Sequence, residues 1–169
     1  MVDEFGTGAL ELFDDSVHHD WLYQRIKPYI GDRLLEVGAG RGHLTDCYLE
    51  RPNTIWLTEF DPLCIKHLAT KYSEIKKIRI ESLDLIEPPT EPYLSVKFDT
   101  ILSSNVLEHL ESDKAALSWM SKVIKTGGKL ILILPAHRFL FGAIDEYYQH
   151  YRRYDRSSLC SKLEANNFE

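Results

Sequence analysis

Cysteine is scarce in this sequence: three in 169 residues, at Cys47, Cys64 and Cys160, with no C-x-x-C pair. Odd in number and far apart, they argue for reduced thiols and against a disulfide framework or a zinc site. Long apolar runs are missing too, since none approaches the ~20 residues of a membrane span. The first stretch, MVDEFGTGALELFDD, is acidic where a secretion signal is basic and apolar. A cytoplasmic protein is expected. Positive charge is in deficit, with 20 Lys and Arg against 26 Asp and Glu and a formal net charge of −6. A nucleic-acid partner is therefore not expected. The one local basic cluster, Arg152, Arg153 and Arg156, is most plainly read as solvated surface. Repeats and low-complexity tracts are absent, and only the connection Glu87 to Lys97, EPPTEPYLSVK, is rich in proline. What remains is an ordinary globular balance, 44% hydrophobic and 27% charged, long enough for one domain with its own core.

The chain is organised around Leu34 to Thr45, LLEVGAGRGHLT. An apolar run ends at Glu36 and Val37, glycines alternate at Gly38, Gly40 and Gly42, and a helical pattern follows. A strand, a tight bend and a helix start in that order form the place where open α/β sheets bind cofactors. A dinucleotide fingerprint requires its third glycine at position 43, which is His43. Glu36, two residues before the first glycine, opposes a pyrophosphate but suits a ligand bearing a sulfonium and an ammonium.

The stretch resembles the E/D-x-G-x-G-x-G motif of class I S-adenosylmethionine-dependent methyltransferases, and later segments agree. The resemblance implies S-adenosyl-L-methionine as cofactor, held by Glu36 and the bend Gly38, Ala39, Gly40 and Gly42. Glu59, ending the strand IWLTE, lies 59 − 40 = 19 positions beyond Gly40, where a Rossmann-type sheet places an acid on a ribose. Phe60 is suited to the adenine face. Asp84, beside Leu85, occupies the family's position for the adenine amino group, with loop capping as the competing role. Ser103, Ser104 and Asn105, ending the strand FDTILSS, are expected to receive the cofactor's ammonium group. No metal is required by methyl transfer, and no clustered ligand set is visible.

Other elements follow from periodicity and caps. Ser16 is expected to cap a helix carrying Trp21, Leu22, Ile26, Tyr29 and Ile30, which forms a lid or simply covers the sheet. Asp61 caps the next helix with Pro62 in its first turn. Ser112 and Asp113 start another, ended by Gly127 and Gly128, and Asp155 caps the last, with Asn166 or Asn167 as its left-handed end. The implied fold is α/β: a Rossmann-like three-layer sandwich whose parallel sheet has the order 3-2-1-4-5. Residues 1–31 are the helical lid segment, 32–134 the cofactor-binding core, and 135–169 the acceptor loop and last helix. The family usually adds antiparallel strands 6 and 7, which this sequence stops short of. A truncated or shortened member is expected, with an open edge through which two copies can pair.

Pro135 to Leu159, PAHRFLFGAIDEYYQHYRRYDRSSL, resembles a bacterial branch of the same enzymes with the segment H-Y-R-R-Y. It follows the fifth strand, where acceptor-binding loops belong. Asp145 pairing with Arg152 or Arg153, and tyrosines packing the loop down, are the alternative reading. His137 or His150 is the candidate general base for an acceptor that must lose a proton. His109 is expected to support the cleft wall, and His18 and His19 to be helix surface. Ser104 to Leu107, Ser-Asn-Val-Leu, departs from the D/N/S-P-P-Y/F motif of enzymes that methylate nucleic-acid amines. The acceptor is then a small molecule, lipid or saccharide. A non-catalytic cofactor-binding module and, less favoured, an NAD-dependent oxidoreductase are the competing functions.

Overall fold

The computed structural model of the chain describes residues 17–169, together with the main chain but not the side chain of Ser16. The expected Ser16 cap, and residues 1–15 of the lid segment, therefore lie outside the described residues. Five strands, β1 (Arg33–Val37), β2 (Thr54–Glu59), β3 (Ile78–Ser82), β4 (Phe98–Ser104) and β5 (Ile124–Ile133), form one parallel sheet in the order β3-β2-β1-β4-β5. That is the expected order.

The central strands are apolar on both faces, as a parallel sheet covered by helices requires. Successive residues feed opposite cores. Leu34, Ile55, Leu57 and Leu102 pack with α1 (Ser16–Ile26), α2 (His43–Tyr48) and α3 (Pro62–Lys71). Leu35, Trp56 and Ile101 pack on the other face with α5 (Asp113–Val123), along with Leu159 and Leu163 of α7 (Arg156–Glu164), which follows the short α6 (Ala143–Tyr147). On that same face, the short α4 (Tyr93–Val96) interrupts the proline-rich connection before β4 and anchors Tyr93 in an aromatic cluster. Its ring centroid lies 5.1 Å from that of Trp56 and 5.2 Å from that of Trp119.

Caps and ends match expectation in part. Asp61 Oδ1 accepts from the Leu63 N–H at 2.8 Å, and Ser112 Oγ from the Ala115 N–H at 3.3 Å. Asp155 stands at the N-cap of α7, but no cap bond forms, because its carboxylate accepts from the Arg138 N–H at 3.2 Å. Asn167, at φ 64°, supplies the left-handed end of that helix. The helix α5 stops at Val123, before the two glycines, because Ile124 turns extended and pairs with Phe98. Residues 125–128 then loop out of register before Lys129 rejoins β4 opposite Thr100. Along α1 the inner face is Leu22 and Ile26, continued by Ile30 beyond the helix, whereas Trp21 and Tyr29 are exposed. No described helix is long and apolar enough to cross a membrane.

Candidate functional site

All five strands run in one direction, so the segments that follow them gather at one edge of the sheet. The bend after β1 is held by main-chain contacts. The Thr58 carbonyl accepts from both Gly38 N–H (2.9 Å) and Ala39 N–H (3.0 Å), and the Ala39 carbonyl accepts from Gly42 N–H (2.9 Å). Gly40 N–H donates to Glu59 Oε2 at 2.8 Å. These donors are turned inward, so the bend is not a phosphate cradle of the kind a dinucleotide needs.

Gly38, Gly40 and Gly42 all have positive φ, but their surroundings differ. A Cβ on Gly38 would fall 2.3 Å from Val106 Cγ2, whereas one on Gly40 would meet nothing within 4 Å. Gly38 is thus a packing glycine, and Gly40 borders open space that a ligand can enter. Gly38→Ala should lower unfolding free energy by about 2 kcal/mol, from left-handed strain plus displaced Val106, and Gly40→Ala by about 1 kcal/mol. Urea unfolding measures both. Gly40→Ala should nevertheless weaken cofactor binding more.

Glu59 is fixed by three main-chain donors: Gly40 N–H, Phe60 N–H at 2.7 Å and Asp61 N–H at 3.3 Å. It sits beside the open face of the bend, and Phe60 is 64% exposed next to it. Beneath them Glu36 is buried, and its Oε2 accepts from the Thr45 hydroxyl and from the Tyr48 hydroxyl. Burial pushes the Glu36 carboxyl up to about 7 against the pull of those two hydrogen bonds, and the charge on Glu59 raises it further. The α1 helix leans on this region through His19, whose ring stacks on His43 at 5.6 Å.

The other expected contacts are less direct. Asp84 is exposed, and its Oδ1 accepts from the Ile86 N–H at 2.9 Å, so the loop-capping role is present. Leu85, expected beside the cofactor, turns its side chain into the core with Trp56 and Tyr93. Ser103 is fully buried with its hydroxyl unpartnered, whereas Ser104 is half-buried and Asn105 exposed at φ 52°. Asn105 N–H donates to the Ile133 carbonyl at 2.9 Å, which ties the end of β4 to β5.

The segment after β5 folds back on the turn that follows β4. Tyr151 N–H donates to the Glu108 carbonyl at 2.7 Å. Asp145, only 1% exposed, is the hub. Its carboxylate accepts from Arg153 Nε at 2.8 and 2.9 Å and from Gly142 N–H at 3.0 Å, and it faces His150 Nδ1 at 3.0 Å. The Arg153 hydrogen bond first, and then that of His150, holds the Asp145 carboxyl well below the usual range against its burial. Arg153 is therefore its partner; Arg152 goes to Asp113 (3.3 Å) and to the Glu111 carbonyl (2.7 Å).

His150 is brought against His109, with ring centroids 4.6 Å apart, beside the buried Glu108. His137 stands apart: its N–H donates to the Tyr154 carbonyl at 3.0 Å and its ring is exposed, 5.5 Å from Phe139. Glu108, His109 and His150 converge here, with one potential ligand atom from each lying within 4.8 Å of the others. The sequence hides this group, since 150 − 109 = 41 positions separate the two histidines. An acid between leucines in VLEHL was the one available signal.

A family model described as a methyltransferase domain matches residues 16–169. The tRNA U34 carboxymethyltransferase of Hydrogenovibrio crunogenus is 29% identical over 134 residues, covering 70% of this chain and 38% of that protein. The chain thus spans well under half the length of this curated relative. Phosphoethanolamine N-methyltransferase 2 of Haemonchus contortus, solved in complex with S-adenosyl-L-methionine, superposes with a TM-score of 0.73 at 18% identity. The match covers 89% of this chain and 36% of that one. The [4+2]-cyclase SpnF superposes with a TM-score of 0.71, also at 18% identity, over 89% of this chain and 57% of that one.

Proposed function

We propose that this chain, which belongs to the methyltransferase-domain family, transfers a methyl group from S-adenosyl-L-methionine to a small-molecule, lipid or saccharide acceptor. The observation that carries the reading is the acid-lined bend: inward-turned amides, open space at Gly40, and Glu59 and Glu36 beside it. Two carboxyl groups favour a cationic ligand over a pyrophosphate.

The cofactor supplies a methyl group on a sulfonium that leaves as a neutral thioether. The protein's part is to bind, orient and exclude water. Glu59 would accept from ribose hydroxyls, the exposed ring of Phe60 would face the base, and Asp84 would offer its second oxygen to the adenine amino group. The carbonyls of Ser103 and Ser104, with Asn105, would receive the ammonium. The acceptor would lie between the turn at Glu108 and His109 and the segment carrying the H-Y-R-R-Y sequence, whose resemblance supports placing the chain in a bacterial branch. Of the two candidate histidines, His150 is favoured over His137, since Asp145 orients its ring beside the cleft.

The net charge of −6 and the pairing of Arg152, Arg153 and Lys162 with Asp113 and Asp145 support an acceptor other than nucleic acid. The half-buried face of β5 at Leu130 to Ile133 is suited to a further strand or a second copy.

A second reading is a cofactor-binding domain without methyl transfer, favoured by the likeness to a cyclase of the same fold. Calorimetry with S-adenosylhomocysteine and NADH tests the cofactor, and methyl transfer from labelled cofactor tests turnover. Binding of S-adenosylhomocysteine without NADH binding is expected. Tight NADH binding alone would overturn the reading, and cofactor binding without label transfer to any acceptor would favour the second.

A further inference from the structure

We propose that Glu108, His109 and His150 bind a divalent first-row cation of the zinc type at the acceptor end of the cleft. Three ligands converge there from two segments, a carboxylate oxygen and two imidazole nitrogens, and among the described residues no other group of three or more such side chains does so. Two histidines and one carboxylate are a donor set for zinc or another first-row metal, with a position left open for substrate. Tetrahedral zinc with ligand bonds of ~2.0–2.2 Å places its donors about 3.4 Å apart, and the three donors here lie within 4.8 Å of one another.

Independent features point to a ligand. Glu108 is fully buried, yet neither carboxylate oxygen has a hydrogen-bond partner. An acid in that state is costly unless a proton or a cation satisfies it. His150 carries the outer hydrogen bond that orients a metal-binding imidazole: Asp145 holds its Nδ1 at 3.0 Å and leaves Nε2 for a cation.

Such a cation gives the proposed methyl transfer an oxygen acceptor. With the cation bound, His150 serves as its ligand and not as the general base, so the acceptor hydroxyl at the open position loses its proton to bulk water instead. Its oxygen then forms the new bond to the methyl carbon, and the electron pair of the breaking carbon–sulfur bond stays on sulfur. The acceptor chemistry rests on the methyl-transfer reading; cation binding does not.

The test is Co2+ titrated into the untagged, metal-free chain, followed by visible absorption and calorimetry, with Zn2+ and Mg2+ as competitors. The expected result is one Co2+ per chain with the intense bands of tetrahedral coordination, displaced by Zn2+ and not by Mg2+. Glu108→Gln and His150→Gln should each weaken binding at least tenfold, and Asp145→Asn about tenfold through the orientation of His150. Circular dichroism checks folding, and His109→Gln, at an exposed position, decides if the buried variant does not fold. Absence of stoichiometric Co2+, or equal affinity in the variants, overturns the site. Titrating S-adenosylhomocysteine into the same protein separates the two ideas. Cobalt bands without cofactor binding strike only the methyltransferase reading, and cofactor binding without cobalt bands strikes only the cation site.

Discussion

Between pH 4.5 and 8 the protein should lose about 3 kcal/mol of stability that a Glu36→Gln variant keeps. The folded-state pKa of Glu36 is raised from 4.5 to about 7, chiefly by burial. A raised carboxyl pKa means that the folded protein binds the proton more tightly than the unfolded chain does. Its contribution is therefore complete below pH 4.5 and fades as pH rises through 7. A shift of about 2.5 units corresponds to about 3 kcal/mol. Glutamine cannot ionise, and its carbonyl still accepts from the Thr45 and Tyr48 hydroxyls. Urea unfolding of both proteins at pH 5 and pH 8 isolates the effect, because every other titration is shared. Parallel pH dependences would mean that Glu36 is ionised throughout.

Glu59→Ala should weaken binding of S-adenosylhomocysteine by about 1.5 to 3 kcal/mol, the loss of charge-assisted hydrogen bonds to the ribose. Three N–H groups hold the carboxylate before any ligand arrives, so its geometry does not have to be assembled on binding. The substitution also strips Gly40 N–H of its acceptor, which loosens the bend itself. Calorimetry at fixed pH reads the change. Unaltered affinity would remove Glu59 from the site and leave the bend as a structural turn.

The strand order and the bend were legible in the sequence because both follow from local rules. Hydrophobic runs of five or six residues alternate with capped helices, and glycine spacing marks the close turn. The caps at Asp61 and Ser112 were legible for the same reason, since each acts within three residues. Asp155 was misread because a contact 17 residues away took its carboxylate. The inward turn of the Leu85 side chain was not legible, because a motif position says nothing of side-chain direction. The group around Glu108 was invisible, as no periodicity connects a turn after one strand with a loop after the next. Only the fold-back anchored by Asp145 brings them together.

The Thr58 carbonyl that grips the amides of Gly38 and Ala39 has a kinetic consequence. A glycine-rich connection normally exchanges its amide hydrogens with solvent as fast as a frayed terminus. Here those two amides can exchange only when the end of β2 separates from β1, so their protection should follow that of the central sheet. Deuterium uptake should therefore report the bend as part of the slowest-opening unit of the molecule.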